Sequence, residues 1–169
     1  RVPAGNPLEV ERYYRRIGVL LAVSYALETT DCHQENLVAC GEHPVLVDAE
    51  TVLHPRVHQP VVQEASQADR AAYDSVLRTG ILPWWEFGPQ GRMAYDFSAL
   101  GGVGGFATGF VAPVWRDVNT DRMVLDWSAH RTAVAANGPL DGEPGRAVVD
   151  HVGEIVDGFR VAYEFLPAR

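Results

Sequence analysis

No lysine occurs among the 169 residues, so apart from histidine the positive side chains are 14 arginines. Against 22 aspartates and glutamates they leave a formal net charge of −8. A nucleic-acid groove needs clustered lysine and arginine, and this chain has no such surplus. An anionic membrane would not attract it either. If phosphate is handled here, a metal ion or a few local arginines must neutralise it. Cysteine is scarce: Cys32 and Cys40 do not make a disulfide framework, and reduced thiols are the cytosolic default. Long apolar runs are missing as well. "IGVLLAVSYAL" (17–27) falls short of the roughly 20 residues that span a bilayer. The charged "ERYYRR" precedes it, and "ETTDCH" follows where a cleaved signal would show a small-residue exit. These absences point to a cytoplasmic protein with no membrane span and no nucleic-acid partner. With 47% hydrophobic and 21% charged residues, the chain has the composition and size of one globular domain. It opens on Arg1 and "RVPAGNP" and closes directly after a helical pattern, so a piece of a longer protein is expected.

Apolar residues at Val10, Tyr13, Tyr14, Ile17, Leu20, Leu21 and Val23 predict a buried helix over 8–27, ended by Thr29, Thr30 and Asp31. "NLVAC" (36–40) and "PVLVD" (44–48) predict a β-hairpin around "GEH". The spacing predicts loop over 52–70, then a short helix in "QADRAAYDSVLRTG" closed by Gly80. "ILPWWEF" is an apolar segment broken by Pro83, with Trp84 and Trp85 expected in the core. A strand pair is expected around "VNTD", and a second amphipathic helix from Arg146 to Leu166. The arginines at 15, 16 and 146 read as solvated helix faces.

The predicted hairpin brings its outer ends, "DCHQEN" and "DAET", side by side. Phosphoryl transfer from ATP requires Mg²⁺ held against the phosphates and a carboxylate that orients the attacking hydroxyl. Mg²⁺ takes hard oxygen ligands. Protein kinases supply them from a catalytic-loop Asp, an Asn five residues later, a short hairpin, and a second Asp. Asp31 and Asn36 have that spacing, and Asp48 follows twelve residues after Asn36.

"TDCHQEN…HPVLVDAETVLHP" resembles the dehydratase domain of class II lanthipeptide synthetases, the LanM family. "YYRRIGVLLAVSYAL", "GILPWW", "FSALGG", "NTDRM" and "IVDGFRVAYEFL" extend the resemblance over nearly the whole chain. It implies an α+β, mainly helical fold: a fragment of a kinase-like C-terminal lobe with a catalytic-loop hairpin, residues 1–169 forming part of the dehydratase. The activity implied is ATP-dependent phosphorylation of Ser and Thr in a precursor peptide, followed by phosphate elimination to dehydroamino acids. Asp31 is then the residue that positions the hydroxyl, and His33 orients it or touches phosphate. Asn36 and Asp48 are the Mg²⁺ ligands, and Glu50 is a further acidic position of the ATP–Mg²⁺ site. The phosphate-gripping lysine, the Arg/Thr elimination motif and the zinc-containing cyclase of that family have no counterpart here. The partners implied are the precursor peptide and the rest of a synthetase chain, and the isolated piece is expected to be inactive.

Other readings compete. A non-catalytic kinase-like module that binds a peptide or partner would need no paired metal ligands. Cys32, His33, Cys40 and His43 form a poor zinc set, since two of the four are adjacent and no Cys-x-x-Cys occurs. "GGVGGFA" (101–107), with Asp121 beyond it, is a weak dinucleotide match: no convincing strand precedes it, and Gly109 and Pro113 interrupt any helix after it.

Overall fold

The computed structural model describes residues 2–53, 71–87, 94–101, 107–131, 137–139 and 148–166. Helix α1 runs Pro7–Ala26. Its start is fixed locally. The Asn6 side chain accepts from the Glu9 amide at 3.0 Å, and the Glu9 carboxylate returns to the Gly5 amide at 2.7 Å. Pro7 fills the first turn, where no amide donor is required. Val10, Tyr13, Tyr14, Ile17 and Leu21 form its buried stripe. Burying each such side chain stabilises the fold by about 2 kcal/mol relative to exposure.

Helix α2, Val152–Glu164, crosses α1 at a pair of glycines. A Cβ added to Gly18 would lie 2.7 Å from the Phe159 nitrogen, and one added to Gly158 would lie 2.8 Å from the Arg15 carbonyl carbon. The two backbones are therefore nearly in contact, which only glycine permits on both sides. Tyr14 stacks on His151 just before α2, with ring centroids 4.6 Å apart. Burial, and secondarily the charge of Asp150, push the Tyr14 phenol up to about 12.

Strands β1 (Leu37–Cys40) and β2 (His43–Leu46) pair antiparallel, with Cys40 opposite His43. The turn is the two residues Gly41 and Glu42, with Gly41 at φ 58°, rather than the expected "GEH". Val2 lies beside this hairpin: its amide donates to the Ala39 carbonyl at 3.0 Å and its carbonyl accepts from Gly41 at 2.8 Å. Strands β3 (Trp85–Phe87) and β4 (Ala94–Asp96) form a second antiparallel pair, and β5 (Ala107–Arg116) and β6 (Val124–Arg131) a third. The last pair is the one expected around "VNTD".

One core joins the two helices, the first hairpin and the segments around Ile81 and Leu100. The α1 stripe packs with Cys32, Leu37, Ala39, Ile81, Ala99, Leu100, Val148 and Ile155. Asn137 ties two sides together: its carbonyl accepts from the Tyr13 hydroxyl, and its side-chain amide donates to the Ala99 carbonyl.

Among the described residues, helices of 20 and 13 residues stand beside three antiparallel strand pairs. Some local expectations need correction. Over 71–80 no continuous helix forms, because the Ser75 side chain accepts from the Leu77 amide and starts a separate 3₁₀ turn, Val76–Thr79. Gly80 does close it, at φ 77°. The last helix begins at Val152 rather than Arg146; residues 148–150 form a separate helical turn, and 146–147 lie outside the described residues. Trp84 and Trp85 are not core residues, being 38% and 58% exposed. Arg16 is not a free solvated cation: with Arg12 it grips Glu42 at 2.8 and 2.9 Å, pinning the hairpin turn to α1. Residues 54–70 of the loop expected over 52–70, and most of "GGVGGFA", fall outside the described residues.

Candidate functional site

Three features of the chain build the loop after α1. Thr29 closes the helix by donating its amide to the Ser24 carbonyl at 2.9 Å. Glu28 and Asp31 then take left-handed backbone angles, φ 58° and φ 63°, which L side chains disfavour. Cys32 drives inward to 1% exposure and donates its amide to the Thr79 carbonyl at 2.9 Å. Asp31 is thereby left at the surface beside a buried anchor.

Asp31, His33 and Asn36 come together. The Asn36 side-chain amide donates to the Asp31 carbonyl at 2.9 Å, and its backbone amide donates to the His33 carbonyl at 3.0 Å. His33 Nδ1 accepts from the Glu35 amide at 3.1 Å. A neutral imidazole with an accepting Nδ1 carries its proton on Nε2. His33 Nε2 lies 3.3 Å from the Asn36 side-chain nitrogen and 3.7 Å from the Asp31 carboxylate. Among the described residues no hydrogen bond to the Asn36 Oδ1 atom is seen.

The second connection is tied to the first. Val47 donates to the Asn36 carbonyl at 2.9 Å, extending the hairpin by one rung and placing Asp48 next in the chain. The Thr51 hydroxyl donates to the Thr30 carbonyl, and the Leu53 amide to the Leu27 carbonyl at 3.0 Å. Asp48 Oδ1 accepts from the Glu50 amide at 3.1 Å, a tight Asx turn. Asp48 and Glu50 are both exposed. Among the described residues no hydrogen bond or ion pair joins their carboxylates to Asp31, His33 or Asn36. The junction runs through backbone and Thr51.

Among the described residues no three His, Cys, Asp or Glu side chains gather as a metal group, which removes the zinc reading; Cys32 is buried and Cys40 exposed. Asp48 and Asn36 each carry side-chain oxygens of the hard kind that Mg²⁺ accepts.

The chain matches, over residues 2–169, the family described as a domain of unknown function, DUF4135. It belongs to that family. A curated relative, the lacticin 481/lactococcin biosynthesis protein LcnDR2 of Lactococcus lactis subsp. lactis, is 39% identical over 83 residues. The match covers 48% of this chain but 9% of the relative, so the chain spans a small part of that protein's length. Both findings uphold the resemblance to the LanM synthetases. No solved structure matches. Among the described residues no helix is long and apolar enough to cross a membrane.

Around the loop of this DUF4135 chain stand residues that spacing did not single out. Arg78 reaches back to α1 from the 3₁₀ turn. Asp96, 8% exposed, accepts from the Ser98 amide at 2.8 Å and holds the segment that pairs with His33 and Gln34. Neither belongs to a local motif, so only the charge of each residue was visible in advance.

Proposed function

We propose that this chain is the catalytic-loop portion of a kinase-like dehydratase acting on Ser and Thr of a precursor peptide in lanthipeptide biosynthesis. The observation that carries the reading is the junction of two polar connections: Asp31, His33 and Asn36 share one hydrogen-bonded loop, and Val47 links Asn36 directly to the strand end that bears Asp48. The family match and the similarity to a lacticin biosynthesis protein support it.

In this reading Asp31 accepts a hydrogen bond from the peptide hydroxyl and aims its oxygen at the phosphoryl group. His33, with Nε2 3.7 Å from that carboxylate, restricts its orientation. Asn36 and Asp48 would hold Mg²⁺ with their side-chain oxygens. When bound, Mg²⁺ neutralises charge on ATP phosphates. Glu50 adds negative charge beside that ion. With no lysine in the chain, a lysine from elsewhere in the parent grips the phosphates.

The test uses the full-length parent with ATP, Mg²⁺ and its Ser/Thr-containing precursor, followed by peptide mass analysis. Asp31→Ala and Asp48→Asn should each yield neither phosphorylated nor dehydrated peptide. Dehydration at the wild-type level in either variant removes the assigned role. A non-catalytic binding module would instead show precursor binding with no ATP-dependent mass change in the wild type.

A further inference from the structure

We propose that Arg78 is a positioning residue, holding the left-handed Glu28–Asp31 turn in the conformation that presents Asp31; the inference rests on the kinase-like reading. Two L residues in the left-handed region within four positions form a strained segment. Such strain persists only where surrounding contacts over-determine it, and it gathers at functional sites. The contacts here are specific. Arg78 Nη2 lies 3.2 Å from a Glu28 carboxylate oxygen and donates to the Tyr25 carbonyl at 2.6 Å. The guanidinium also lies over the Tyr25 ring, 4.6 Å from its centroid. One cation therefore clamps both the last turn of α1 and the first left-handed residue after it.

The next two residues hold the other end. The Thr79 carbonyl accepts from the Cys32 amide at 2.9 Å. Gly80 sits so close to Cys32 that an added Cβ would meet its nitrogen at 3.2 Å. Residues 78–80 thus fix the loop at Glu28 and at Cys32, on both sides of Asp31.

Stability alone does not account for this arginine. Its side chain is 4% exposed, and Nε and Nη1 are buried with no hydrogen-bond partner. A buried charge with unsatisfied donors is a poor source of stability compared with an apolar side chain of similar volume. Its return is a fixed backbone path into Asp31. A shift of an ångström in a positioning group costs on the order of a hundredfold in rate.

The experiment compares full-length Arg78→Met, Arg78→Lys, Glu28→Gly and the Arg78→Met/Glu28→Gly double variant, with Asp31→Ala as the control. Peptide phosphorylation is measured as kcat and KM, and amide exchange is followed in the same proteins. Methionine keeps the stem but removes the clamp. It should lower kcat by about tenfold or more while leaving KM for the precursor within about twofold. Lysine, whose single nitrogen can replace Nη2, should recover most of that loss. Glycine at 28 adopts the left-handed angle without strain. It should therefore restore kcat in the Arg78→Met background. The Cys32 and Leu53 amides should exchange faster in Arg78→Met, while those of Ile17 and Leu21 stay protected. Wild-type kcat in Arg78→Met overturns the proposal, as does a double variant no better than the single one. Protection lost throughout α1 in both Arg78 variants also overturns it, because Arg78 would then serve folding alone. Unchanged activity in Asp31→Ala is a separate result, which sinks the kinase-like reading itself.

Discussion

Replacing Gly18 by alanine should destabilise the chain, although alanine favours helix over glycine by about 1 kcal/mol. The crossing of α1 and α2 decides the sign. The new methyl group would fall on the Ile155 carbonyl and 2.7 Å from the Phe159 nitrogen. Both are backbone of a hydrogen-bonded helix, so no side chain can rotate away and the helices must separate. Overpacking of this kind costs about 1–3 kcal/mol, and backbone on both sides places Gly18 at or beyond the upper end. Separation also weakens the packing of Ile17 and Leu21 against Ile155. The net loss is about 2 kcal/mol, which lowers Tm by roughly 4–8 °C in a chain this size. Gly153 supplies the control, since a Cβ there meets nothing within 4 Å. Gly153→Ala should leave Tm unchanged or raise it, by up to about 1 kcal/mol of stability. Thermal unfolding by circular dichroism at 222 nm measures both. A Gly18→Ala variant as stable as the wild type would refute the close crossing. So would equal effects from the two substitutions.

Glu42 makes acid stability testable: hydrogen bonds from Arg12 and then Arg16 hold its carboxyl below the ordinary 4.5. A depressed carboxyl contributes stability that is fully present above its unfolded value and lost as pH falls through the folded one. Glu42→Gln should therefore narrow the stability difference between neutral pH and the region below 4.5, measured by urea unfolding at several pH values; an unchanged pH slope would reject the clamp. The two thiols should also behave differently. Burial, and to a lesser extent the Asp31 charge, push Cys32 up to about 11 against a lowering by Ser24, whereas Cys40 is exposed. Iodoacetamide at pH 8 should label Cys40 in the native chain and both cysteines only in denaturant; native labelling of Cys32 would mean that the loop opens readily.

The first helix and its hairpin were legible because their signals are local. The spacing of Val10, Tyr13, Tyr14, Ile17 and Leu21 marks the buried face of α1, and Gly41 lies within the expected turn. The adjacency of Asn36 and the strand end before Asp48 follows from antiparallel pairing. Contacts between residues distant in sequence were not legible. Arg78 finds Glu28 fifty positions away, and Arg16 finds Glu42 across a loop; a charged side chain does not announce its partner. Ser75 broke an apparent helix by capping its own downstream turn, a competition that periodicity does not register. Trp84 and Trp85 were placed inside because aromatic pairs usually bury, yet nothing in the local sequence says which surface faces a neighbour. The kinase-like reading of the loop stands on motif order, on the hydrogen bonds around Asn36, and on the family relation.

The placement of the tryptophans has a spectroscopic consequence. All four, Trp84, Trp85, Trp115 and Trp127, are between 38% and 63% exposed, and the last two stand on the β5–β6 ribbon among exposed Val111, Val114, Val124 and Leu125. Among the described residues the fully buried aromatics are Tyr13 and Tyr14. Indole emission from the native chain should already resemble that of solvated tryptophan and change little on unfolding, while near-ultraviolet tyrosine dichroism should collapse. The two optical signals thus separate. Tyrosine reports whether the core is assembled, and a blue shift in tryptophan emission reports whether something has covered the ribbon or the Trp84–Trp85 corner.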